Sequence, residues 1–342
     1  MKNLLFTTLT VLFLFSCSSD ENENNSTAPV LTTANITNIT ANGDSTGGNI
    51  TSDGGANITA RGVVWSTSQN PTIALTTKTV DGVGVGVFTS SISALTPNTT
   101  YYVRAYATNS VGTSYGNEIT FTTIVDVTTG LIAFYPFNGN ANDASGNGNN
   151  GVVNGAVSLT TDRNGNQNSA YSFPGSSSAF ININQNSSFA NFNDGLTLSV
   201  WYLSNISSTG GRVIALGNTD ACNIGFHVSG FPNTGAVLTG SNCIGYGNFS
   251  SAINNQSTNT WNHIVFTVNL SNNQWKIYHN GQNVISGTST SSISLPLNLS
   301  SLPFNIGRKT VSAFDAWNGK IDDVRIYNRA LNQSEVSYLF SN

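Results

Sequence analysis

Groups able to do acid–base or metal chemistry are few in this chain. Asp and Glu together number 16 in 342 residues, and the histidines are three: His227, His263 and His279. From residue 130 onward the acids are Asp143, Asp162, Asp194, Asp220, Asp315, Asp322, Asp323 and a single glutamate, Glu335. Two of them adjoin inside WNGKIDDVRIYNRAL, Trp317–Leu331. Such a pair could be catalytic acids, cation ligands or plain surface charges. Glycoside hydrolysis usually sets two carboxylates on either side of the scissile bond. Asp162, before RNGN, and Asp194, before Gly195, stand in turn contexts that favour Asp for its geometry. Glu335 follows Asn332 by three residues, the spacing of a helix capping box, with Leu331 and Val336 at the staple positions. The histidines are dispersed, and no HExxH or GxSxG motif occurs. The glycine-rich DGVGVGVF lacks the Lys-Ser/Thr ending of a phosphate loop. An activity of the chain's own is therefore not expected.

The acidic pair sits in a stretch that alternates like a β-strand. In IDDVRIY, alternation places Asp322 with Val324 and Ile326, and Asp323 with Arg325 and Tyr327. Asp322 is thus expected on the core-side face, where a bare carboxylate is costly unless paired or metal-bound. Asp323 is expected to point outward.

The elements that must position these groups are almost all strands. Short apolar–polar alternations recur between Gly, Asn, Asp and Ser clusters, the pattern of all-β sandwiches. In LTLSVWYL, Leu196, Leu198, Val200 and Tyr202 share one face, and Thr197, Ser199 and Trp201 the other. In WNHIVFTVN, Ile264, Phe266 and Val268 alternate with His263, Val265 and Thr267. Asn280-Gly281 reads as a hairpin turn. A break near TTIVDVTTG separates a unit over 28–124 from one over 130–342, with 125–129 as linker.

In the first unit, Leu95, Pro97, Thr99 and Tyr101 have the L-x-P-x-T-x-Y spacing of a tyrosine corner. The segment resembles the fibronectin type III-like modules of Bacteroidota surface proteins, which implies a spacer. Val103, Ala105 and Ala107 are expected inside it, and Tyr102, Arg104 and Tyr106 outside. The second unit carries, in order, GLIAFYPFNGNANDASGNGNNG, SAYSFPGSSSAFINI, LTLSVWYL, TWNHIVFTVN, WKIYHNGQ, FNIGR and WNGKIDDVRIYNRALNQSEVSYLF. Together these resemble a LamG-like jelly roll of the concanavalin A-like lectin/glucanase superfamily. The resemblance implies two antiparallel sheets face to face and a short C-terminal helix. The E-x-D-x-x-E strand of the superfamily's glucanases is missing. The resemblance also implies a structural calcium tying the loop NANDASGNGNNG to the IDDVRIY strand. Asp143 and Asp322 would give carboxylates, and Asn147 and Gly151 carbonyls; calcium takes such oxygens. Glycan binding would need exposed rings, and Trp201, Tyr246 and Trp317 are the candidates.

The ends and the overall charge bound the rest. Lys2, the apolar run Leu4–Phe15 and LFSC resemble a signal peptide with a bacterial lipobox. That implies lipidation at Cys17, with 1–17 removed or modified and 18–27 as a flexible, acidic tether. The tether resembles the surface-export signal of Bacteroidota lipoproteins, so the expected place is the outer membrane, facing outward. Cys222 and Cys243, exported to an oxidising space, are expected to form a disulfide. With 12 Lys and Arg, a formal net charge of −4 and no basic run, nucleic acid is not an expected partner. The expected partner is a glycan or polysaccharide, with a surface protein as alternative and a hydrolase or lyase as the more distant one. Membrane contact would run only through the lipid.

Overall fold

The computed structural model describes residues 25–205, 211–217, 225–230, 237–240, 258–288, 298–309 and 315–342, with 225–230 and 237–240 as backbone only. It divides into two compact units, Met1–Ile124 and Val125–Asn342. Among the described residues no helix is long and apolar enough to cross a membrane.

The first unit is built from β1 (Val30–Thr33), β2 (Gly43–Ser52), β3 (Ala60–Ser66), β4 (Gly86–Ser93), β5 (Thr100–Thr108), β6 (Thr113–Tyr115) and β7 (Ile119–Thr122). One sheet runs β1-β2-β4; the other runs β3-β5-β6, with β7 also on β5. The inward rows of both sheets, including Ile50, Phe88, Ile92, Val103, Ala105 and Phe121, form one core. Tyr101 is buried against Phe121, and its hydroxyl accepts the Thr96 amide at 3.0 Å. That bond is what the spacing from Leu95 to Tyr101 demands. Tyr106, expected outside, is instead buried, and its hydroxyl donates to the Thr79 carbonyl at 2.6 Å. Residues 77–82 run along β3 and cover it, through bonds such as Thr79 N to Val63 O at 2.9 Å.

The second unit contains β8 (Leu131–Tyr135), β9 (Gly151–Asn154), β10 (Ser158–Thr160), β11 (Ala170–Pro174), β12 (Phe180–Ile183), β13 (Gly195–Ser204) and β14 (Gly211–Gly217). It continues with β15 (Gly225–Gly230), β16 (Val237–Gly240), β17 (Trp261–Asn269), β18 (Gln274–His279), β19 (Gln282–Thr288), β20 (Phe304–Ile306), β21 (Asn318–Tyr327) and helix α1 (Gln333–Ser341). The larger sheet runs β10-β11-β21-β13-β17-β18-β19, with β8 also on β21; the smaller runs β16-β15-β14-β20-β12-β9. Leu196, Leu198, Val200 and Tyr202 from the larger sheet meet Ile181, Ile214, Leu216, Phe304 and Ile306 from the smaller in one core. Each fully buried aliphatic side chain contributes ~1.5–3 kcal/mol by leaving water.

Helix α1 covers the outer face of the larger sheet. Asn332 Oδ1 accepts the Glu335 amide, and Glu335 returns a bond to the Asn332 amide, at 3.0 and 2.7 Å. The capping box thus satisfies two end groups that would otherwise be orphaned. Leu331, Val336 and Leu339 pack on Val265, Tyr278 and Tyr327. The turn Asn280-Gly281 has φ of 48° and 78°, as a type I′ hairpin requires.

Candidate functional site

The acidic pair lies on the helix-covered face, and its geometry departs from plain alternation. In the β13–β21 register Trp201 faces Asp322 and Ser199 faces Arg325, so three residues of β21 span two of β13. The extra residue is Asp323, in left-handed conformation at φ 47°. This bulge shifts the faces. Ile321, Val324 and Ile326 point to the core, and Asp322 joins Asp323 on the outer side. Arg163 Nη1 bridges both carboxylates, at 2.9 Å to Asp322 and 2.6 Å to Asp323. Arg325 adds a second cation at 3.3 Å from Asp323. The expectation of an inward Asp322 is therefore overturned, while Asp323 lies on the outer side as a pairing charge. Burial and the neighbouring Asp323 charge push the Asp322 carboxyl up to about 7, against the pull of Arg163.

Around this pair the face is closed. Trp201 is only 7% exposed, packed in one ring cluster with His263 at 4.9 Å and Phe340 at 5.5 Å, with Arg163 over its ring at 4.7 Å. It has no free face for a sugar, which corrects its expected role. His263 Nε2 meets Ser199 Oγ at 2.9 Å, a pair that resembles half of a nucleophilic site. Both residues are fully buried, and desolvation lowers the His263 pKa to about 3. The pair fixes packing and cannot reach a substrate. Trp317, the second expected sugar platform, is 2% exposed and packs edge-on against Tyr202 at 5.3 Å. Tyr246, Cys17, Cys222 and Cys243 lie outside the described residues.

The expected calcium finds no matching donor set. Asp143 Oδ1 accepts the Phe134 and Ser145 amides at 3.0 and 2.8 Å, and Oδ2 accepts the Asn149 amide at 2.9 Å. N–H donors thus take up the lone pairs a cation would use. Asn147 donates to the Leu131 and Ile132 carbonyls at 3.0 Å, stitching the loop to β8. Gly151 is explained by packing: a Cβ there would meet Ile181 Cγ2 at 2.7 Å. At Asp322 the guanidinium of Arg163 fills the cation's part. Among the described residues no cluster of three or more His, Cys, Asp or Glu could hold a metal.

Among the described residues, the outer face of the smaller sheet is accessible along β9 and β12, where Val152 and Asn184 are exposed, and is buried at Asn305 and Ala215. β12 reads Phe180-Ile181-Asn182-Ile183 with Asn184 following, and β20 reads Phe304-Asn305-Ile306. The isoleucines and Phe304 turn inward, so the asparagines turn outward. Register sets Val152, Asn182, Asn305 and Ala215 in one row across four strands. Asn182 Nδ2 donates to Asn305 Oδ1 at 3.1 Å, and Asn305 Nδ2 to the Lys309 carbonyl at 3.0 Å. A groove of about 400 Å³ runs over this row, lined by Val152, Asn154, Phe180, Asn182, Asn184, Pro303, Asn305 and Arg308. The Arg308 guanidinium lies 3.5 Å from the centre of the Phe180 ring. Amide oxygens and N–H groups beside a ring and a cation suit hydroxyl-rich ligands. Sequence reasoning sought aromatic residues and passed over these asparagines. The strict Ile/Asn alternation in FININ showed which residues face out, but only the register between strands sets these asparagines in one row. A larger concavity, about 660 Å³, lies in the first unit between Asp53, Ile58 and Val85. Its carboxylate, Asp53, is already turned to the Gly55 amide at 2.9 Å.

Residues 174–337 match the family described as the concanavalin A-like lectin/glucanases superfamily, Laminin_G_3. The second unit carries a concanavalin A-like jelly-roll domain. No curated protein matches the chain. Among solved structures, the receptor binding domain of botulinum neurotoxin C/D mosaic serotype is 17% identical with a TM-score of 0.49, over 63% of this chain and 52% of that one. The binding domain of Paraclostridial Mosquitocidal Protein 1 is 19% identical with a TM-score of 0.48, over the same shares. The botulinum neurotoxin serotype G binding domain is 20% identical with a TM-score of 0.47, over 62% and 50%. The chain spans about half the length of each, and at these identities and scores the likeness says nothing of ligands. In the jelly-roll domain, one outer face is sealed by α1 and the other holds the amide groove.

Proposed function

We propose that the jelly-roll domain is a non-catalytic binder of glycans, displayed at the cell surface. The first unit serves as a fibronectin type III-like spacer, and a lipid on Cys17 anchors the chain to the outer membrane. The observation that carries the reading is the row of amides on the outward face of the smaller sheet. Asn182, Asn154 and Asn184 offer donors and acceptors spaced along a groove, with Phe180 as its ring, while the buried Asn305 holds Asn182 in place. A hydrolase would need two carboxylates facing each other across the bond. The groove lining contains none. Four of the domain's described acids are held in ion pairs: Asp322 and Asp323 by Arg163, Glu335 by Arg329 at 2.8 Å, and Asp315 by Lys309 at 3.2 Å.

The test is a glycan array followed by calorimetry on the best ligand. Asn182→Ala, and the double change Asn154→Ala with Asn184→Ala, are expected to weaken binding about tenfold, since each removes hydrogen bonds worth ~1 kcal/mol or so. Thermal unfolding of each variant checks that the sandwich survives. An array that stays silent, or affinity untouched by both variants, refutes the groove as a glycan site.

A further inference from the structure

Resting on the glycan reading of the groove, we propose that its ligand is an anionic saccharide, carrying a carboxylate or sulfate group that pairs with Arg308. Of the eight lining residues, Arg308 is the one charge; the others are neutral amides, Val152, Pro303 and Phe180. Its partners are neutral too. Nη1 donates to the Ser177 carbonyl at 2.7 Å, and the guanidinium plane rests on Phe180. Its Nε is buried with no hydrogen-bond partner. The neighbouring carboxylate, Asp315, is bound to Lys309 at 3.2 Å and Arg212 at 3.6 Å. Arg308 is thus a partly desolvated cation with no counter-charge among the described residues.

Such a cation is costly to a fold unless something else uses it. Burial lowers the Arg308 pKa, which agrees with a charge lacking its counterion. A neutral sugar could accept its hydrogen bonds but would leave its charge unpaired. Stacking on Phe180 fixes the guanidinium in one plane, which leaves its outer edge ready for a planar or tetrahedral oxyanion. The amides then read the sugar hydroxyls, and Arg308 reads the acid.

Calorimetry on matched pairs tests this: an oligogalacturonate against its neutral galactose counterpart, and a sulfated galactan oligosaccharide against its desulfated form. The acidic member of at least one pair is expected to bind about tenfold tighter at low salt, the value of one charge-assisted hydrogen bond, and to lose that margin as salt rises. Which pair shows the margin distinguishes carboxylate from sulfate. Arg308→Met should erase the preference, so that acidic and neutral members bind alike, with thermal unfolding checking that the sandwich survives. Arg308→Lys, which keeps the charge and solubility, should retain part of it. Neutral members bound as tightly as acidic ones, or a preference that survives Arg308→Met, overturns this proposal and leaves the groove a glycan site. Binding of neither member, with Asn182→Ala also without effect on any glycan, overturns the groove reading itself.

Discussion

At the scale of single residues, two buried carboxyls and the buried His263 set the protein's response to pH. Asp322 shares Arg163 with Asp323, and burial outweighs that attraction, so its pKa stands at about 7. Asp44, on the inward face of β2, has both oxygens buried with no partner among the described residues, and its pKa is raised to about 6. In the unfolded chain both would titrate near ~3.9. The folded state therefore holds protons that the unfolded state releases. The stability linked to them is fully present below pH ~4 and is lost as pH rises through about 6 for Asp44 and about 7 for Asp322. Buried neutral His263, its pKa lowered to about 3, works the other way, gaining stability as pH rises toward ~6.5. The carboxyl part, on the order of 1–3 kcal/mol per group, is therefore read from pH 4 to 8 as a difference between variant and parent. Asp44→Asn and Asp322→Asn should each gain stability relative to the parent as pH rises. Variants whose pH profiles run parallel to the parent's would contradict both assignments. Asp322 also marks where the sequence stops being legible. Alternation assigned the faces of β13 and β17 correctly. It failed on β21 because one residue, Asp323, adopts φ 47° and inserts a bulge. Asp tolerates that conformation better than most residues, but nothing local demands it; the sheet pairing decides.

At the scale of elements, helix α1 has consequences beyond its nine residues. Its start was readable from Asn332 and Glu335, because a capping box is a local device. What it covers was not readable, because that depends on where the chain returns. The outward side of β13 looked available for sugar stacking, and Phe340 closes it. Conversely, the asparagines of β12 and β20 looked like ordinary sheet polarity, and only register places them in one row. Asn332→Ala should cost about 1 kcal/mol by removing the cap. Because α1 shields Trp201, the loss should appear in chemical unfolding together with an early change in tryptophan fluorescence. A variant as stable as the parent, with unchanged fluorescence, would mean the helix is held by packing alone.

At the scale of the whole molecule, each unit has its own core, so the fold class followed from alternation and turn spacing alone. The proposed lipid anchor rests on the sequence of residues 14–17 and is a separate matter. Cys17→Ser should move the protein from the membrane fraction to the soluble fraction, read by fractionation and by loss of lipid label. Unchanged membrane association would refute lipidation at Cys17. Glycan affinity measured on the released form should equal that of the anchored one, since the amides of the groove lie in the jelly-roll domain itself.

The described lining of that groove contains amides, a guanidinium and apolar groups, and none of these changes protonation in the physiological range. Its grip is thus set apart from the two titrating carboxyls, which govern folding. Acidification around the cell would not unload it from a sulfated ligand. Release would have to come from competing sugar, from salt, or from an enzyme that shortens the polymer. On the proposed reading, a surface protein built this way would hold its cargo through swings in acidity and give it up only to chemistry that alters the cargo or its surroundings.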